Sequence, residues 1–342
     1  MPLNSSPAVV GMVTSYPGLT QSDWLWKQSP HAFGLWGQIQ LKAQDPAPHW
    51  LLLYQFDWPA GDATSQGGGR VDRWLGKIPG SLGRRLGGGG RSPQGWDPEQ
   101  VFRGVPPERR IFLLREPPLA ELAPQRPRTY QLAVDHCGYV SGPDDFAPHP
   151  DYMPAIWYHA NRFQDLDQAP PPAKVRGCSW ITSGIDRTAN HRQRLDFLRS
   201  LQGAKGAGEC PVDFYGRRLP PWVQSQGEVA NKWFAMAPYY YNLAIENYRD
   251  NNWYVSEKLW DALLAWCLPI YYGGPAADRL IPPESFLRLP SLDAQGIAYI
   301  QEVIQSPNLW KERLDAIAEA RQIILHRLNL LNWLSEFVGE RS

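Results

Sequence analysis

The sequence predicts an α/β fold divided into two domains. At 342 residues the chain is long enough for two cores of ordinary size. Apolar runs of strand length recur along it, and several end in polar loops, as the strands of open α/β sheets do. The stretch 254–274 then reads loop, helix, strand and glycine turn, which is one repeat of such a domain.

Composition narrows the class of ligand. Lys plus Arg equals Asp plus Glu at 34 each, so no global field draws the chain to nucleic acid or to an anionic membrane. A small ligand with a charged tag fits better. Sixteen Trp and fifteen Tyr supply flat faces suited to sugar rings, although most are expected in packing. Cys137, Cys178, Cys210 and Cys267 show neither CxxC nor zinc spacing, and Cys267 falls inside an expected helix, so a reduced, cytoplasmic protein is the expectation. No charged-then-apolar leader opens the sequence and no apolar run approaches the ~18 to 20 residues that span a bilayer, so a soluble chain is expected. Thirty-three Pro and thirty Gly imply many loops.

Taken in order, 8–13 (AVVGMV) and 50–56 (WLLLYQF) read as buried strands, with an aromatic-rich stretch, 24–41, between them. Residues 61–104 differ in kind: two glycine runs bracket Arg70, Arg73, Lys77, Arg84, Arg85 and Arg91 without P-loop order. That composition cannot build a core and reads as a surface loop, with a lid or acceptor-contacting loop as the alternative. Order returns at 110–116, a strand that runs into Glu116 followed by two prolines. A carboxylate at the C-terminal end of a strand is well placed to be a general base. A second strand-like run, 130–134 (YQLAV), follows, and the domain boundary is expected between 155 and 174, near the prolines 170–172.

The second half begins with 178–184, a helical pattern over 191–201 and the strand 212–217, a βαβ unit with Arg192 and Arg194 near the start of its helix. Either can reach a diphosphate, or both can be exposed helix cations. The strand 242–247 ends at Glu246 and Asn247, which places that pair at the ligand edge. Ser256 is a good N-cap, Leu259, Leu263 and Trp266 follow at helical spacing, and Pro269 is expected to stop the helix. Lys258 adds a full charge to the anion-favouring helix terminus, and Glu257 can accept hydrogen bonds from vicinal hydroxyls such as those of a ribose. Together they describe a nucleotide seat; an ordinary capped helix with a solvated Glu–Lys pair is the plainer alternative. Beyond 280–286, residues 309–338 read as mostly helical, with Leu314, Ile317, Ile324, Leu328 and Leu331 on one face, suited to packing across both domains.

Six stretches, 179–183 (SWITS), 212–217 (VDFYGR), 243–247 (LAIEN), 254–260 (YVSEKLW), 269–273 (PIYYG) and 281–286 (IPPESF), together resemble the C-terminal domain of family 10 glycosyltransferases, the α1,3/α1,4-fucosyltransferases. The resemblance implies a GT-B fold of two Rossmann-like domains facing a cleft: an acceptor domain over 1–160, a nucleotide-sugar domain over 174–305, and a C-terminal helical segment over 306–342. It implies inverting α1,3 transfer of fucose from GDP-fucose to a glycan hydroxyl, in glycan biosynthesis or protein glycosylation, with peripheral contact to a glycolipid at a membrane as one form of acceptor. It places Tyr254, Glu257 and Lys258 at the donor, with Arg194 on phosphate and Arg192 as the alternative register, and it gives the base position to Glu116. Pro117 stands where the family has Ser, and Tyr248 where Ser usually follows Glu-Asn. No Asp-x-Asp motif occurs in the second half, so no metal or cofactor is expected. Transfer of another nucleotide-linked sugar, or non-catalytic nucleotide or carbohydrate binding, are the competing readings.

Overall fold

A computed structural model describes residues 6–16, 18–20, 22–58, 97–204 and 212–341. The first sheet is built from β1 (Ala8–Thr14), β2 (Leu35–Trp36), β3 (Ile39–Leu41), β4 (Trp50–Tyr54), β5 (Arg110–Leu113), β6 (Tyr139–Gly142) and β7 (His149–Pro150), ordered β2-β3-β1-β4-β5-β6-β7. All its pairings are parallel except the β2–β3 hairpin at one edge. The second sheet holds β8 (Arg176–Ser183), β9 (Val212–Arg217), β10 (Tyr239–Ile245), β11 (Leu268–Tyr272) and β12 (Leu287–Arg288), all parallel, in the order β12-β11-β10-β8-β9. Both are doubly wound. The chain reverses direction across the first sheet between β1 and β4, and across the second between β8 and β10, and such a reversal opens a crevice beyond the strands' carboxyl ends.

Burial on both faces accounts for the apolar runs. Val10, Met12, Leu52 and Tyr54 pack on one side of the first sheet, and Leu51, Leu53, Phe112 and Val140 on the other. The second sheet has one large core around Trp180, Leu243, Leu259, Trp260 and Ile270. The helix Leu314–Gln322 adds Ile317 and Ala320 to that core, whereas the helix Leu330–Gly339 places Leu330, Leu331, Leu334 and Phe337 in the core of the first sheet. The chain changes domain twice at one point: Ala155 N–H donates to the Leu328 carbonyl at 2.6 Å and Leu330 N–H to the Ala155 carbonyl at 3.1 Å.

Three sequence expectations need correction. The run 130–134 is not a strand; it lies in the helix Arg126–His136, which buries Tyr130 and Ala133 against Phe112 and Val140. A five-residue window is too short to separate alternation from a 3.6-residue period, and Pro127, in the helix's first turn, is the start signal it missed. The helix after Ser256 ends at Leu264, well before Pro269. Trp266, at φ 61°, breaks it, and Cys267 lies in the connection. Pro269 sits within β11, where its lost N–H faces the β12 side, and pairing with β12 starts only at Ile270. The stretch read as one loop over 61–104 is only partly described: 61–96 lies outside the described residues. Within 97–104, the Asp97 side chain caps the helix Pro98–Phe102, and Phe102 is buried.

Candidate active site

The carboxyl edges of the two sheets face one another across a cavity of about 750 Å³. Tyr16, Arg115 and Glu116, from the loops after β1 and β5, line one side; Asn247, Tyr254, Glu257 and Lys258, following β10, line the other, with Arg194 beside them.

Glu116 is held through its backbone and one carboxylate oxygen. Gln55, left-handed at φ 47° just past β4, accepts the N–H of both Arg115 and Glu116 on its Oε1, at 2.9 and 3.0 Å. The buried Arg126 guanidinium donates to the Glu116 carbonyl at 2.6 Å. The Tyr16 hydroxyl donates to Glu116 Oε1. Burial and the adjacent Glu116 charge hold the Tyr16 phenol well above its usual range, so it remains a donor. Oε2 has no hydrogen-bond partner among the described residues, which leaves it able to accept a proton.

On the opposite side the helix Glu257–Leu264 begins at Ser256, whose Oγ accepts from the Lys258 N–H at 3.4 Å. Glu246 supports this start. Its carboxylate accepts from Ser256 N at 2.8 Å, Ser256 Oγ at 2.6 Å and Lys258 Nζ at 3.2 Å. Those bonds occupy a side chain that is fully buried, and Glu246 does not line the cavity, so its place is behind the seat rather than in it. Burial disfavours the charged form of Glu257, but Lys258, Arg115 and Lys232 outweigh it and hold the carboxyl well below its usual range. Tyr254 is buried beside it, and burial, then the Glu246 and Glu116 charges, push its phenol up.

Arg194 emerges from the helix Ala189–Gly203 with 5% exposure and binds Asn247 Oδ1 at 2.5 Å and Ser183 Oγ at 3.3 Å. Its Nε has no partner among the described residues. Arg192 instead donates to the Asp186 carbonyl at 3.1 Å on the exposed side of the helix and does not reach the cavity. His191 lines the wall, but burial, Arg194 and Lys258 push it down to about 4, so at neutral pH it adds no charge to that of the cations lining this side, Arg194, Lys258, Lys232 and Arg217. Gly216 completes the wall: a Cβ there would come within 1.6 Å of the Thr182 carbonyl oxygen, so only glycine lets β9 approach β8 so closely.

Sequence reasoning missed Tyr16, Tyr158, Lys232 and Arg115. Tyr16 and Arg115 follow strand ends, a signal applied to Glu116 but not to them. Tyr158 lies in an irregular segment, and Lys232 opens a four-residue 3-10 helix too short to leave a periodic pattern. Among the described residues there is no group of three or more His, Cys, Asp or Glu placed to hold a metal ion, and no helix long and apolar enough to cross a membrane.

Residues 171–313 match the model of the glycosyltransferase family 10 (fucosyltransferase) C-terminal domain. That stretch, about two fifths of the chain, is similar to the family 10 domain. It is 30% identical to mouse alpha-(1,3)-fucosyltransferase 7 over 125 residues, 35% of this chain and 28% of that protein. It is 27% identical to human 3-galactosyl-N-acetylglucosaminide 4-alpha-L-fucosyltransferase over 197 residues, 56% of this chain and 48% of that one. The chain thus spans about a quarter to a half of the length of these relatives. Among solved structures, an alpha1,3-fucosyltransferase with GDP-fucose is 18% identical and aligns over 92% of this chain and 83% of its own, at a TM-score of 0.40. T4 phage beta-glucosyltransferase is 11% identical, over 98% and 99%, at 0.45. The matched stretch contains Arg194, Asn247, Tyr254, Glu257 and Lys258, whereas Arg115 and Glu116 lie outside it.

Proposed function

We propose that the protein is an inverting glycosyltransferase that moves fucose from GDP-fucose to a glycan hydroxyl. The observation that carries this reading is the meeting, in one cavity, of a carboxylate from the first domain with a cationic helix terminus and Arg194 from the family 10 domain. Glu257 takes the ribose hydroxyls of the donor, and Lys258 and Arg194 take its diphosphate. The acceptor enters from the first domain. Its oxygen attacks the anomeric carbon as Glu116 removes the proton through Oε2, and the carbon–phosphate oxygen bond breaks on the opposite face, inverting the centre. Diphosphate leaves without being protonated, so one base is enough, and the cations stabilise the charge that develops on it. No step calls on a metal. The α1,3 linkage, and a reducing, cytoplasmic setting for the buried thiols Cys137 and Cys267, belong to the same proposal.

Incubation with GDP-fucose and a glycan array, with GDP release as the readout, tests it. Glu116→Gln should retain GDP binding while losing ~10²- to 10⁴-fold in transfer. Undiminished transfer by Glu116→Gln would remove Glu116 as the base. Release of nucleotide only from a different nucleotide sugar would replace the donor, and tight GDP binding without transfer to any acceptor would make the chain a binding protein.

A further inference from the structure

Beside the base stands a cation that belongs to one domain and binds the other. Arg115 donates through Nη2 to Glu257 Oε2 at 2.5 Å and through Nη1 to the Tyr158 hydroxyl at 2.6 Å. The pair is mostly withdrawn from water, with side-chain exposures of 16% and 19%. Exposed ion pairs contribute little to stability, but one in a drier setting interacts strongly, and removing one partner leaves the other charge uncompensated. Tyr158 is itself fixed on the family 10 side, because its N–H donates to Asp261 Oδ1 at 2.8 Å. Lys232 binds the other oxygen of that carboxylate at 2.7 Å and stands 3.8 Å from Glu257 Oε1. The guanidinium therefore grips two groups whose positions the second domain sets.

The next residue in the chain is Glu116, and Gln55 Oε1 holds the amides of both residues at once. With its main chain pinned beside that of Arg115, Glu116 cannot move relative to it by more than its own side chain allows. The distance between the base and the donor seat is thereby set by the grip of Arg115 on Glu257. Because that grip uses Oε2, Glu257 Oε1 remains available to a donor hydroxyl.

We infer that Arg115 is a positioning residue, which registers the base against the donor seat across the domain interface without touching the reacting atoms. This rests on the reading of the cavity as a glycosyl-transfer site. Its expected signature is a loss in kcat with little change in donor affinity, because a base displaced by ~1 Å can cost about 100-fold while the phosphate contacts stay in place.

The test compares the wild-type chain with Arg115→Met, Arg115→Lys, Glu257→Gln and the double variant Arg115→Met/Glu257→Gln. Donor KM and kcat are measured with GDP-fucose, GDP affinity by calorimetry, and Tm for each protein. Arg115→Met should lower kcat about 10- to 100-fold and hold GDP affinity within about 3-fold. Arg115→Lys, able to reach Glu257 or Tyr158 but not both, should recover part of the loss. In the double variant the two kcat losses should be far from multiplicative, because both remove one contact. An unchanged kcat in Arg115→Met, losses that multiply fully, or a loss that vanishes once scaled to the folded fraction would each overturn the inference. If Arg115→Met does not fold, Arg115→Lys decides alone: wild-type kcat at intact Tm overturns the inference, and a lowered kcat with unchanged donor affinity supports it. Absence of turnover by the wild-type chain would instead strike the functional reading, and the inference would fall with it.

Discussion

Arg192 and Arg194 stand two residues apart on one helix, and the helical period sends them to nearly opposite faces. That separation is why a sequence naming both cannot choose between them, while the fold does so at once: Arg194 is buried at the cavity and Arg192 faces solvent. Burial pushes Arg194 down to about 10, so it still carries its charge at neutral pH, with one guanidinium nitrogen unpartnered among the described residues. A buried cation of this kind gains most from an arriving anion. Arg194→Ala and Lys258→Ala should each weaken GDP binding by about 10- to 100-fold, the range expected for losing hydrogen bonds to a charged group, whereas Arg192→Ala should stay within about 2-fold. Calorimetric titration with GDP checks this, and an effect of Arg192→Ala equal to that of Arg194→Ala would reverse the assignment. Glu257 and Lys258 were legible because a cap followed by a charged first turn is a local pattern. Tyr158 and Lys232 were not, because only the tertiary fold brings them to Glu257.

At the scale of elements, the helix Glu257–Leu264 was readable and the helix Arg126–His136 was not, for one physical reason. The first announces its start with a side chain that satisfies a backbone N–H, and Leu259 and Leu263 then mark a buried face. The second opens with no side-chain cap bond, and its exposed Val134 blurs the buried face. Ser256 also orders the element around it, because its hydroxyl donates to the buried Glu246 carboxylate while accepting from Lys258. Ser256→Ala should therefore cost about 1 to 2 kcal/mol for the lost cap. It should also weaken GDP binding, since Lys258 loses a partner that orients it. Ser256→Thr, which keeps the hydroxyl, should restore most of both. Denaturant midpoints and GDP titrations for the two variants provide the comparison, and equal behaviour of Ala and Thr would show that the hydroxyl is not what holds this terminus.

Across the whole molecule, two sheets of like topology were largely legible because their strands are buried on both faces and read as unbroken apolar runs. Their apposition was expected only from the family resemblance and not from the residue pattern, because it depends on contacts more than 170 residues apart, such as those of Ala155 with Leu328 and Leu330. His159 lies just past this crossing. It is 2% exposed, both ring nitrogens lack partners among the described residues, and Trp157 and Trp233 pack near its ring. Burial, with Lys232 and Arg321 adding positive charge, pushes it down to about 3. An unfolded His titrates near 6.5, so between these values the unfolded chain binds a proton that the folded chain refuses. Stability from this group is therefore complete above pH 6.5 and is lost as the pH falls toward 3, by about 1.4 kcal/mol per unit, or about 2 kcal/mol at pH 5. His159→Leu removes that dependence while keeping an apolar side chain of similar bulk. Between pH 7.5 and pH 5 the wild-type protein should lose about 2 kcal/mol more unfolding free energy in urea than the variant does. Equal losses in the two proteins would mean that His159 takes up its proton in the folded state.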